Sequence, residues 1–333
     1  AVVVLSLVIL SILAAPIKNI VFSQVDSRVL PANNPAAFAS KIISDRFPGQ
    51  EGNPVEIVIP KGALVQPEVT KYISEVAKVD GIVRVSQPQI LGEDVRITAV
   101  HSMPPRTLKG ESLIKDIREI KSPEGTLIGG IAADYADTQI GIAKTMPWAL
   151  TWIAIGVLIL LFVFTGSIIL PIKAVILNIL SLAATLGAIT WIFVDGHLRW
   201  LVGDFTVTGA VDTGSIILVA VVAFGLSMDY ELFLLSRIKE EHDAGKSNIE
   251  SVAIGLQRSA RIITAAAGLL AIVFASFIIS GVTSIKMLGF GVAFAILLDA
   301  TLVRALLVPA LMRLFGERNW WAPKSMKRFT ISH

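Results

Sequence analysis

The sequence predicts an α-helical membrane protein with an α+β domain between its first and second spans: one transmembrane helix, a βαββαβ unit, then five more helices. Three observations carry that reading. More than half of the 333 residues are apolar and only 17% are charged. Six apolar segments approach the ~20 residues that cross a bilayer, at 1–15, 146–164, 168–193, 215–235, 262–279 and 285–312. Between the first two lies a stretch whose apolar residues alternate at strand or helix period instead. There is no cysteine, so disulfides, thiol catalysis and Cys-ligated metals are excluded.

Taken in order, the first segment opens at Ala1 in mid-helix. It lacks the basic n-region and small-residue cleavage site of a signal peptide. Residues 1–20 therefore read as a truncated first span, with Ala1 a break in a longer polypeptide. Residues 21–145 form the insert. An amphipathic helix at 35–47 leads into a strand at 54–60 (PVEIVIP) and a helix at 66–79 with Val69, Ile73, Val76 and Val79 on one face. Strands follow at 81–86 and 94–100, a helix at 112–120 and a Gly-softened strand at 126–132. That order is a split βαβ, or ferredoxin-like, unit. Residues 133–145 run as a helix into the second span. Residues 146–315 make a five-helix bundle and 316–333 a tail.

Charge sets the orientation. Lys173, Arg237, Lys239, Lys246, Arg258, Arg261, Arg304, Arg313, Arg318, Lys324, Lys327 and Arg328 fall on one side of the bundle, whereas the short loops opposite carry Arg199 and Lys286. The positive-inside rule makes the first side cytoplasmic and places 21–145 outside. The pI of 9.1 thus reflects topology and calls for no nucleic acid. Trp148, Trp152, Trp200, Trp320 and Trp321 sit at helix ends, as an aromatic belt would.

The residue that points to function is Asp229, inside SIILVAVVAFGLSMDYELFLL at 215–235 and followed by Tyr230 and Glu231. A charge in hydrocarbon costs at least ~2.5–3.5 kcal/mol and marks ion or proton pathways. Burial would let Asp229 load and release a proton near neutrality, with Gly225 clearing space on its face and the Tyr230 hydroxyl beside it. A buried ion pair is the competing reading. Asp299, in LLDATLVR, lies at similar depth. It either joins the proton path or pairs with Arg261 or Arg237, because Arg304, five residues on, is off its helical face. Ala260, Thr264, Gly268, Ala271 and Ala275 form a small-residue seam for close packing, with Thr264 a candidate hydroxyl relay. Asn178, Ser181 and Thr185 read as interhelical hydrogen-bonding positions. The polar stretch 237–261 reads as a solvated amphipathic connector. No GxxxxGK[ST] is present, so this chain hydrolyses no ATP. His101, His197, His242 and His333 show no metal spacing.

GLSMDYELFLLSR (225–237), ARIITAAA (260–267), LLDATLVRALLVPALM (297–312), NWWAP (319–323) and VDSRVLPANNPA (25–36) resemble the second half of mycobacterial membrane protein large (MmpL) transporters, of the resistance-nodulation-division superfamily. The resemblance covers essentially the whole chain. It implies export of lipids or lipid-like molecules across the inner membrane, driven by proton influx without another cofactor, with Asp229 and Tyr230 one of two Asp-Tyr pairs in the relay. Proton motive force then offers ~2.3 kcal/mol per charge per 100 mV, plus the pH term. The first half, with its own pair, is not in this sequence. Implied partners are therefore an N-terminal half (same or separate chain), a hydrophobic substrate and membrane lipids, with homo-oligomers left open. A drug efflux pump of the same fold and a non-transporting lipid sensor or scaffold are the rival readings.

Overall fold

The computed structural model describes residues 1–31, 33–47, 49–323 and 325. Lys324, Lys327, Arg328 and His333, used above, lie outside the described residues. The chain forms two compact units, Phe22–Pro147 and a second made of Ala1–Val21 with Trp148–His333. In order, the elements are α1 (Val2–Ala14), α2 (Pro35–Arg46), β1 (Val55–Ile59), α3 (Gln66–Val76), β2 (Ile82–Val85), β3 (Gln89–Leu91), β4 (Asp94–His101), α4 (Leu108–Glu119) and β5 (Leu127–Gly129). Then come α5 (Ile131–Thr165), α6 (Ile169–Ile189), α7 (Arg199–Val202), α8 (Thr213–Asp243), α9 (Asn248–Ala275), α10 (Thr283–Leu298) and α11 (Val308–Phe315).

In the first unit the strands are antiparallel in the order β2-β4-β1-β5. Alternation decides which face is buried: Val55, Ile57 and Ile59 of β1 and Val95, Ile97 and Ala99 of β4 pack on Val69, Tyr72 and Val76 of α3 and Leu113, Ile114 and Ile117 of α4. The outward residues between them are polar. Arg96 donates to Glu56 at 3.0 Å, and Thr98 donates to the same carboxylate at 3.2 Å. One strand is additional to the sequence reading. β3 pairs with residues 94–96 of β4, while β2 pairs with residues 99–101 of the same strand. The two lie end to end along one edge, separated by Pro88. Three residues between Pro88 and Gly92 are too few to show a period. The strand expected at 126–132 shrinks to Leu127–Gly129, because Gly130 turns at a φ of 100° and α5 begins at Ile131.

His101 ends β4, fully buried, with Nε2 3.0 Å from the Asn53 carbonyl. Burial holds its pKa below the ordinary 6.5, outweighing hydrogen bonds to the Asn53 and Met103 backbone that act the other way. The unfolded chain then binds the proton more readily than the folded one. Stability of this unit is present above pH 6.5 and falls as pH drops below it. Protection of the β4 amides, taken relative to their intrinsic exchange rates, should weaken as pH falls through that window, and His101→Gln should flatten the dependence. Identical pH profiles for the two proteins would contradict this.

Six helices among the described residues are long and apolar enough to cross a membrane: Val2–Asn19, Ile131–Thr165, Ile169–Val194, Thr213–Asp243, Asn248–Ile279 and Thr283–Trp320. The five that lie wholly in the second unit share two apolar clusters. One gathers Leu10, Leu177, Leu234, Ile263, Leu298 and Leu307, the other Ile189, Phe193, Val219, Ala267, Val292 and Ile296. Small residues let backbones meet. A methyl at Gly187 of α6 would sit 2.1 Å from the Leu13 carbonyl of α1, and one at Gly255 of α9 would sit 2.9 Å from the Ile238 Cα of α8.

Those contacts correct the seam read from sequence. Within this chain Thr264 is exposed, Gly268 has nothing within 4 Å of its Cβ position, and only Ala271 is buried. Asn178, Ser181 and Thr185 are buried, but Thr185 donates to the Ser181 carbonyl of its own helix at 3.0 Å, and Asn178 Nδ2 has no partner among the described residues. The stretch 237–261 read as a connector is the end of α8 and the start of α9, and it is more than a solvated face. Glu241 is buried and ion-paired with both Lys246 and Arg258, and Ser247 with Glu250 forms a capping box on α9. Lys286 is likewise buried, donating to the Val202 carbonyl at 3.1 Å. Trp320 leaves the belt pattern: its Nε1 donates to Asn248 and its ring stacks on His242.

The last span departs most from a uniform helix. Residues Asp299–Leu307 wind as a π-helix between α10 and α11.

Candidate functional site

α8 is amphipathic in a sense that hydropathy does not display. Ser227, Glu231, Leu234 and Ile238 face inward, whereas Val221, Gly225 and Asp229 are exposed at four-residue spacing. The antiparallel α8–α9 pair sets the neighbour. With Gly255 against Ile238, nine residues back along α8 and nine forward along α9 place Asp229 and Thr264 at one level, both exposed. Gly225 is open as well, with nothing within 4 Å of its Cβ position. The expectation that Asp229 is buried by a helix packed at Gly225 does not hold within this chain. Its carboxylate and the Thr264 hydroxyl lie on an open face.

The buried charges are elsewhere. Asp299 and Arg304 bond to each other, Arg304 Nε to Asp299 Oδ2 at 2.5 Å, with Asp299 5% and Arg304 1% exposed. This corrects the pairing of Asp299 with Arg261 or Arg237. Arg261 is exposed, Arg237 pairs with Glu240, and no ion pair to Arg261 occurs among the described residues. The cause is the π-helix. Its i→i+5 bonding aligns residues five apart, so the pair that an α-helix would separate is brought together.

Ser227 links this pair to α8. Its hydroxyl donates to Asp299 Oδ1 at 3.0 Å and accepts from Arg304 Nη2 at 3.0 Å, and its carbonyl accepts from the same nitrogen. Arg304 Nη1 has no hydrogen bond among the described residues and lies 3.8 Å from Glu231 Oε2, with Glu231 itself buried. The guanidinium also lies over the Tyr230 ring, 5.5 Å from its centre, a cation–π contact. The Tyr230 hydroxyl is shielded and has no hydrogen-bond partner among the described residues.

Asp229, Tyr230 and Glu231 are thus three consecutive residues with three fates. Asp229 faces outward, Tyr230 borders the guanidinium, and Glu231 joins the buried charges. Towards the end of the bundle that holds residues 316–323, Lys173 bonds to Asn319, which is fully buried and donates to the Met312 and Gly316 carbonyls. Such an arrangement has the elements needed to hold protons: ionisable groups on an apolar span, one open and the others enclosed, with the Tyr230 ring against the enclosed guanidinium. No group of three or more His, Asp or Glu suited to a metal occurs among the described residues.

The MMPL family model matches residues 28–331. A membrane protein of Streptomyces coelicolor is 35% identical over 328 residues, covering 96% of this chain and 44% of the relative. The trehalose monomycolate exporter MmpL3 of Mycobacterium tuberculosis is 33% identical over 339 residues, covering 96% of this chain and 36% of the exporter. The mycolic acid-containing lipids exporter MmpL11 of Mycolicibacterium smegmatis is 32% identical over 333 residues, with 95% and 34% covered. The chain spans less than half the length of these relatives.

Proposed function

The chain belongs to the MMPL family, and we propose that it forms one half of a proton-driven exporter of lipids or other hydrophobic cell-envelope molecules. A transporter rather than an enzyme, it is a multi-pass membrane protein with six candidate spans. The observation that carries the proton part is the ionisable set on α8 and the last span. Asp229 with Tyr230 is the relay pair, and Asp299 with Arg304 is the fixed charge behind it. Asp299 in this reading is a structural anchor of the relay. Lipid as the cargo is supported by two relatives whose names specify mycolate-containing lipids.

The exposed face of Asp229, Gly225 and Thr264 fits a partner repeat. Transporters of this kind place ion sites at repeat interfaces, and a carboxylate left facing lipid is unfavourable. The other half of the transporter covers that face. The βαββαβ unit, ferredoxin-like in its strand order, serves as the extracytoplasmic porter domain, and Lys/Arg asymmetry puts the chain's end in the cytoplasm.

Orientation is tested in this cysteine-free chain by placing single cysteines. Lys71→Cys should react with an impermeant maleimide added to intact cells, and Lys246→Cys only after the membrane is opened. The reverse pattern would invert the topology. Lipid cargo is tested by depleting the transporter and profiling the envelope. Accumulation of a lipid inside the membrane supports the reading, and drug sensitisation with unchanged lipids favours an efflux pump.

A further inference from the structure

Two carboxylates share one guanidinium in the buried cluster. Asp299 accepts two hydrogen bonds, from Ser227 and Arg304, while Glu231 accepts none among the described residues and meets Arg304 only at 3.8 Å. With Asp299, Glu231 and Arg304 all ionised, the enclosed set carries one negative charge in excess. The next cation, Lys173, acts on Glu231 from α6 more weakly than Arg304 does, and its ammonium bonds to Asn319 rather than to Glu231. Among the described residues, Arg304, Asp299 and Lys173 are the charged groups that act on Glu231. An unbalanced charge enclosed in an apolar span is unfavourable, and one bound proton removes it.

We propose that Glu231 is a second proton-binding site of the transporter, distinct from Asp229, and that it holds its proton when the cluster is closed as seen here. Hydrogen bonds to the ionised form keep a carboxylate charged. Asp299 has them and Glu231 lacks them, so the proton resides on Glu231. Uptake forms an O–H bond on the Glu231 carboxylate with a proton taken from water. Release returns that proton to water, and Arg304 Nη1, now unbonded, closes on the ionised carboxylate. Tyr230, between the exposed Asp229 and the guanidinium, is placed to feel both states. Asp299 holds Arg304 in position, and Glu231 changes charge.

The inference rests on the proton-coupled reading, and its test separates the two. Infrared difference spectra of the whole purified transporter, recorded between alkaline and acid pH, report the C=O stretch of each protonated carboxyl. Glu231→Gln should remove one such band that Asp229→Asn retains. Glu231→Asp should shift that band, which keeps the test open if the glutamine variant fails to fold. Retention of every carboxyl band in Glu231→Gln, or an unshifted spectrum in Glu231→Asp, overturns the proposal. Loss of the Glu231 band with full transport in Asp229→Asn would leave this site standing and remove Asp229 from the relay.

Discussion

Asp229→Asn is expected to abolish proton-coupled transport while leaving the fold intact. The side chain is exposed on α8, and neither a hydrogen bond nor an ion pair to it occurs among the described residues, so the fold does not depend on its charge. The amide keeps the size and polarity of the carboxylate and cannot titrate. Removing a positioned proton-transfer group costs on the order of 10²-fold or more in rate. Tyr230→Phe removes a hydroxyl that has no partner among the described residues and should lower the rate without lowering stability. Complementation of a transporter-deficient strain, at matched protein levels, reads both. Growth supported by Asp229→Asn at normal expression would exclude it from the relay.

Arg304→Met is expected to do the opposite, damaging the fold first. It leaves Asp299 and Glu231 enclosed without their cation and takes a donor from the Ser227 carbonyl. Breaking a buried pair on one side costs ~3–5 kcal/mol, whereas replacing all partners by neutral groups is often tolerated. The methionine variant should lose its monodisperse peak after mild heating in detergent. Adding Asp299→Leu and Glu231→Gln should restore most of it, without restoring transport. A single Arg304→Met protein as heat-resistant as the parent would show that the cluster contributes little to stability.

The contrast between these substitutions marks how far the sequence could be read. Six spans and the βαββαβ order follow from hydropathy and period, which are local and survive packing. The inward face of β1, Val55, Ile57 and Ile59, was legible for the same reason. Asp229 and Tyr230 stood out because they interrupt an apolar run. What was not legible depends on winding or on neighbours. Arg304 was set aside because five residues is off-face in an α-helix, and only a π-helix reverses that. Glu231 carried no signal beyond its place after Tyr230, since which residue of a consecutive trio faces inward depends on where α9 and the last span pack. The small-residue seam at Thr264 and Gly268 was visible, but none of the described helices packs against it. The signal that could have found the buried cluster is charge counting. Asp299, Arg304 and Glu231 are three ionisable groups within apolar segments, and such groups seldom stay unpaired.

Gradient dependence is the central claim, and one measurement addresses it directly. The complete transporter, this chain together with its complementary half, is reconstituted in liposomes with a fluorescent acylated sugar. Lipid movement is then followed under an imposed proton gradient, before and after a protonophore collapses it. The account predicts movement that stops when the gradient is collapsed, that is absent with Asp229→Asn, and that is absent when residues 1–333 are reconstituted without the other half. Equal movement with and without the gradient would contradict it.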